Sequence, residues 1–212
     1  MTSEQPAKPN PRGRPALSEA EMAATRLAIT QCAQRLFEEE GYHAVSMRRL
    51  AKEVGCTVMT LYRYFDRKID ILRALWGNVF GILFDKLDQI AAMTDDPVER
   101  LNAISLGYLQ YWLDNRETYF LVFMSSDVTQ SDVSIFVDDE AVVPRFALFQ
   151  IVLIEALGTD AQKVDATLKA QLLLCSLNGI AHNLITISAY SWADPKALAE
   201  SAVSGALAVS SV

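Results

Sequence analysis

At 212 residues the chain can bury one substantial core or join a small domain to a larger one. Half of it is apolar and Gly and Pro are sparse, which suits a soluble helical protein, while a net charge of −7 speaks, at first sight, against nucleic acid. Three widely spaced cysteines, Cys32, Cys56 and Cys175, have no metal-ligand rhythm, which argues against a disulfide framework or zinc site and fits a reducing cytoplasm.

The charge is uneven along the chain. Residues 1–75 hold 12 Lys/Arg against 9 Asp/Glu, a net of +3, and residues 76–212 carry a net of −10. A basic front on an acidic remainder fits a protein whose first third meets phosphates. Residues 1–17 contain most of the prolines and little to bury, so they are expected to form a disordered arm. The arm lacks the apolar core of a signal peptide.

Structure is expected to begin at Ser18, with Glu21 three residues later completing a capping box. Further helix starts are expected at Asp66, Asp96, Asp160 and Asp194; Pro97 and Pro195 suit first helical positions. The predicted helices are 18–40, 46–53, 57–63, 66–92, 97–114, 116–125, 140–157, 160–188 and 194–209, with 126–139 as a loop or single turn. No convincing strand appears, so the fold class is all-α. The apolar stretch 172–187 is interrupted by Asn178, His182 and Asn183, which a bilayer would penalise, so no membrane span is expected.

The informative segment is 46–65. Ser46 can cap a short helix whose inner side is Leu50, Ala51 and Val54. Gly55 permits a positive-φ turn, and Thr57 caps a second short helix anchored by Leu61 and Phe65. Val58, Met59, Thr60, Arg63 and Tyr64 are then expected to face outward, a mixture suited to reading a major groove. Arg48, Arg49, Arg63 and Lys68 are expected on the same side. Ser46, Thr57, Tyr62, Tyr64 and Lys68 can donate to phosphates.

The run Phe37, Gly41-Tyr42, Ser46-Met47-Arg48-Arg49-Leu50-Ala51, Val54-Gly55-Cys56-Thr57, Leu61-Tyr62-Arg63-Tyr64-Phe65, Lys68 and Ile71-Leu72 resembles the tetracycline-repressor (TetR) family of regulators. It covers about a quarter of the chain and extends past a generic helix-turn-helix on both sides. Met59, Tyr64, Ile69 and Cys56 depart from the residues common in the family, and Met59 bars transfer of a relative's operator sequence. The resemblance implies phosphate contact from Ser46, Tyr62, Tyr64 and Lys68. It implies base-edge contact from Arg48 and the 58–60 turn, with Arg48 either on a guanine or on a phosphate. In the arm, Arg12-Gly13-Arg14-Pro15 resembles an AT-hook core, so Arg12 and Arg14 are candidates for a narrow minor groove.

The resemblance also implies a dimer on a palindromic operator in double-stranded DNA, joined through the last two helices. It further implies a small effector bound in the helical body, and repression is a family expectation. The layout is then an arm at 1–17, a DNA-binding domain at 18–65 and an effector and dimerisation domain at 66–212. Candidate effector residues are Phe84, Tyr108, Trp112, Phe123, Met124, Phe149, Asn178 and His182. Asn178 and His182 share a helix face and could line that pocket or a dimer interface. No cofactor and no metal are expected. Nothing has the spacing of a phosphate loop, nucleophile elbow or metal site, so an enzyme is not expected. The alternative is a helical ligand-binding or scaffold protein whose helix-turn-helix makes only protein contacts.

Overall fold

The computed structural model describes residues 18–124 and 142–209, and among them every regular element is helical. Arg12 and Arg14, the whole 126–139 segment and the start of the expected 140–157 helix lie outside the described residues.

Helix α1 spans Glu19–Glu40 and opens on the expected capping box: Ser18 Oγ accepts from Glu21 N–H, and the Glu21 carboxylate accepts from Ser18 N–H at 2.8 Å. Its buried stripe is Ile29, Thr30, Ala33, Leu36 and Phe37. It stops at Gly41, whose φ of 86° a side chain would resist. Helix α2, Met47–Val54, and helix α3, Val58–Tyr62, follow. Together α1 to α3 form a small head over a core of Val45, Leu50, Ala51, Leu61 and Phe65.

Helix α4, Lys68–Ala91, leaves that head and enters the body. Asp66 does not start it. The N-cap position is Arg67, and the Asp70 carboxylate accepts from Arg67 N–H at 3.0 Å, so the acidic residue three places on closes the first turn. Helix α5, Pro97–Asp114, begins as expected on Asp96, whose carboxylate accepts from Glu99 N–H at 2.8 Å. At Gly107 the approach between α4 and α5 is close: a Cβ there would stand 2.5 Å from Ile90 Cδ1. Helix α6, Arg116–Phe123, packs against α1 as well as α5.

A 3-10 turn at Val143–Phe146 carrying Pro144 leads into helix α7, Ala147–Leu157. The expected helix from Asp160 is corrected. Gly158–Lys163 forms a second 3-10 turn and Val164 is extended. Helix α8, Ala166–Thr186, is capped instead by Asp165, which accepts from Leu168 N–H at 2.9 Å. The extended Val164 gives Asp165, rather than Asp160, the non-helical backbone that an N-cap requires. Helix α9, Pro195–Leu207, starts at Asp194 as expected. Lys169 Nζ on α8 donates to the Ala206 and Ala208 carbonyls at 2.8 and 2.6 Å, serving the open end of α9.

Candidate nucleic-acid interface and effector site

In the head, Ser46 Oγ accepts from Arg49 N–H at 3.1 Å, and Thr57 Oγ1 accepts from Thr60 N–H at 3.0 Å. Both short helices therefore have the caps their sequences call for, and the Ser46 hydroxyl retains a proton to donate. Thr57 and Thr60 also share a hydroxyl–hydroxyl bond at 2.8 Å. Gly55 sits between the helices in the left-handed region at φ 76°, ψ 27°.

The exposed residues around this turn include Ser46, Arg48, Lys52, Thr57, Met59, Tyr62 and Arg63, with Met59 at 75% exposure. Val58 and Tyr64 do not simply face outward: both are partly buried against the core, because α3 is too short to bury Leu61 without drawing its flanks inward. Thr60 is half-buried.

Arg49 is also corrected. Its guanidinium pairs with Glu53 at 2.6 Å and Glu40 at 2.7 Å, and Arg35 on α1 meets the other oxygen of Glu53 at 2.6 Å. It thus joins α2 to α1 instead of standing beside Arg48 as a free cation. The hydrogen bonds from Arg49 and then Arg35 hold the Glu53 carboxyl well below its usual range, at about 2.

Lys68 is half-buried, and its Nζ donates to the Tyr42 carbonyl at 2.7 Å while lying 4.0 Å from the centre of the Tyr42 ring. Burial pushes its pKa down. A phosphate contact would use the ammonium's remaining protons. Arg26, which no sequence signal singled out, donates to the Tyr64 carbonyl and stacks 4.1 Å over Phe65. It fastens the end of α3 to α1, from 38 residues away.

In the body, most of the expected effector residues converge. Phe84 meets Phe146 at 4.7 Å, Tyr108 meets Phe149 at 5.8 Å, and Trp112 meets Phe123 at 5.1 Å, mostly edge to face. Phe84, Tyr108, Trp112 and Phe149 are buried, whereas Phe123 and Met124 are 41% and 46% exposed. Met124 lines a separate cleft between α1 and α6.

Asn178 and His182 point into this body. Tyr108 Oη donates to Asn178 Oδ1 at 2.7 Å, and Tyr119 Oη shares a hydrogen bond with His182 Nδ1 at 3.3 Å. Burial pushes the Tyr108 pKa far up, so the phenol keeps its proton and is the donor. Tyr111 donates to the Val79 carbonyl and is pushed up to about 12 by burial. Ser105 Oγ is buried without a hydrogen-bond partner among the described residues, whereas the Trp112 indole N–H faces the Tyr108 hydroxyl and works against the rise in pKa that burial gives it. Nothing local in the sequence marks Ser105. No group of ligands fit for a metal occurs among the described residues. No helix among them is long and apolar enough to cross a membrane.

Residues 29–75 match the family of bacterial regulatory proteins described as tetR. An HTH-type transcriptional regulator of Staphylococcus aureus (strain USA300) is 36% identical over 92 residues, which is 43% of this chain and 49% of that protein. The chain thus spans about half the length of the curated relatives it matches. The fatty acid degradation regulator FadR of Bacillus halodurans has a similar structure, with a TM-score of 0.70 and 20% identity over 86% of this chain and 94% of that one. FadR of Bacillus subtilis, solved with stearoyl-CoA, gives 0.65 and 16% identity over 85% and 97%. At these identities the likeness is one of fold.

Proposed function

We propose that the chain, whose residues 29–75 match the tetR family of bacterial regulatory proteins, is a DNA-binding transcriptional regulator released by a small, largely apolar effector. The observation that carries the first half is the exposed set Ser46, Arg48, Thr57, Met59, Tyr62 and Arg63 on two capped helices joined by a left-handed glycine. Phosphate contacts are assigned to Ser46, Thr57, Tyr62, Tyr64 and Lys68, and base reading to Arg48 with the turn Val58, Met59 and Thr60. Arg63 supplies charge at the rim. Arg12 and Arg14 are assigned to the neighbouring minor groove.

A single short recognition helix gives little affinity, so the protein acts as a homodimer on a palindrome, repressing transcription in the cytoplasm. The last two helices, α8 and α9, supply the dimer surface; Leu168 and Leu172 are 52% and 57% exposed along α8. The division into arm, head to residue 65 and body from residue 66 belongs to this reading.

The effector site is assigned to the aromatic cluster of Phe84, Tyr108, Trp112, Phe123 and Phe149, with Met124 at its edge and Asn178 and His182 as its polar wall. The buried Ser105 Oγ, without a partner among the described residues, supports it, because a ligand acceptor would satisfy it. The stearoyl-CoA bound by the B. subtilis protein is in keeping with an effector that has a long apolar part.

Genome-wide footprinting of the purified protein tests this reading. A discrete palindromic site is expected, and Arg48→Ala should lower discrimination at one base position by about 1–3 kcal/mol. Binding without any preferred site would overturn it.

A further inference from the structure

We propose that the cleft between the end of α1 and the outer face of α6 is a second small-molecule site, for an organic monocation with an apolar tail. The cleft encloses about 440 Å³, within the roughly 300–1,000 Å³ usual for small-molecule sites. It stands apart from the aromatic cluster of the body and shares only Met124 with the residues assigned there.

Its walls combine two properties. Phe120 and Met124 present large apolar side chains, 44% and 46% exposed, beside Tyr42. Three carboxylates, Glu38, Glu40 and Glu117, line the same space with a single imidazole, His43, and no Lys or Arg does, so the acidic groups outnumber the basic one. Glu40 is already paired with Arg49. Glu38 accepts only neutral donors, from Gln34 at 3.0 Å and Thr118 at 2.8 Å, so its charge is not cancelled. Glu117 has no hydrogen bond or ion pair among the described residues.

An anion entering the cleft would meet both uncancelled charges, and a neutral tail would leave them unanswered. A cation with a tail satisfies both sets of groups: its charge faces Glu117 and Glu38, its tail covers Phe120 and Met124, and an aromatic face adds attraction for the cation.

The position of the cleft gives binding a consequence. Its floor includes Gly41, Tyr42 and Ala44, the turn that carries the chain from α1 to the Ser46 cap of α2. The Tyr42 carbonyl also holds Lys68 at the start of α4. A bound cation therefore touches the joint that orients the head, and its effect on DNA affinity rests on the helix-turn-helix reading above. Binding itself does not.

Calorimetric titration of the full chain, without DNA, separates the two. Decyltrimethylammonium below its micellar concentration is expected to bind in this cleft with an affinity set by its carboxylates. Any binding of decyl sulfate, whose tail the aromatic cluster of the body could also take, does not depend on them. Glu117→Gln should weaken the cation by up to about fivefold, the range of an exposed ion pair, and leave decyl sulfate unchanged. Met124→Lys, which puts a like charge in the lining, should weaken the cation further. Parent-like affinity for the cation in both variants, equal weakening of decyl sulfate by Glu117→Gln, or no binding of the cation would overturn the proposal. In a parallel DNA titration, failure to bind DNA at all would count against the regulator reading and leave the cleft result standing.

Discussion

The head and the body treat their polar side chains in opposite ways. In the head, polar groups sit at helix ends and along the rim, where Ser46 and Thr57 close turns and Arg48, Tyr62 and Arg63 remain available to an outside partner. In the body they are drawn inward onto one another, Tyr108 onto Asn178 and Tyr119 onto His182, within a shell of aromatic rings. A surface built to meet a charged polymer needs donors that water can reach until the polymer arrives. A site built to meet an apolar molecule needs few donors, each held in place, because an unpaired one is costly when buried.

The contrast can be broken most forcefully in the head core. Leu61→Ala is expected to cost about 2–5 kcal/mol, since Leu61 is fully buried and is the sole buried residue of α3. Thermal denaturation followed by circular dichroism measures it. A loss well below that range would mean that α3 does not depend on this anchor.

Next in size is Tyr108→Phe, which leaves the Asn178 amide oxygen without its donor at an expected cost of about 1–3 kcal/mol. Without effector, DNA affinity of the folded variant should stay at the parent value, because Tyr108 bonds Asn178 within the body and not the head. A fall in DNA affinity at temperatures where the variant is folded would show that this bond biases the head even in the absence of effector.

The smallest effect concerns acid. The folded-state pKa of Glu53 lies at about 2, below its ordinary 4.5, so its contribution to stability is present above pH 4.5 and is lost as the pH falls toward 2. Comparing the melting temperature of the parent with that of Glu53→Gln from pH 6 downward should show a gap that closes within this window. A constant gap would mean that packing, rather than the ion pairs to Arg49 and Arg35, accounts for the difference.

What could be read from residues alone was what acts over three or four positions. The caps at Ser18, Ser46, Thr57, Asp96 and Asp194, and the left-handed Gly55, depend on backbone groups one turn away, so their residue types identify them. Asp160 and Asp165 offer the same chemistry five residues apart, and only the extended Val164 between them decides which one caps. The partners of Arg26, Arg49 and Lys68 lie on other elements, and charge alone does not say whether a cation faces DNA or a neighbouring helix. Gly107 belongs with these: its need for close approach arises from Ile90 on a different helix. In the body, the aromatic residues were legible as a group. Which of them form the interior, and that Asn178 and His182 turn toward Tyr108 and Tyr119, followed from the packing of α8 on α5 and α6.

Helix α4 begins at Lys68, in contact with the head, and runs unbroken to Ala91 inside the body. At 1.5 Å per residue, it is a rod of about 36 Å. A tilt of about 5° around its body end displaces its head end by about 3 Å, close to the rise between neighbouring base pairs of about 3.4 Å. On the regulator reading, a slight rearrangement of rings around Phe80 and Phe84 would be magnified at the far end into a step on the scale of the DNA ladder itself.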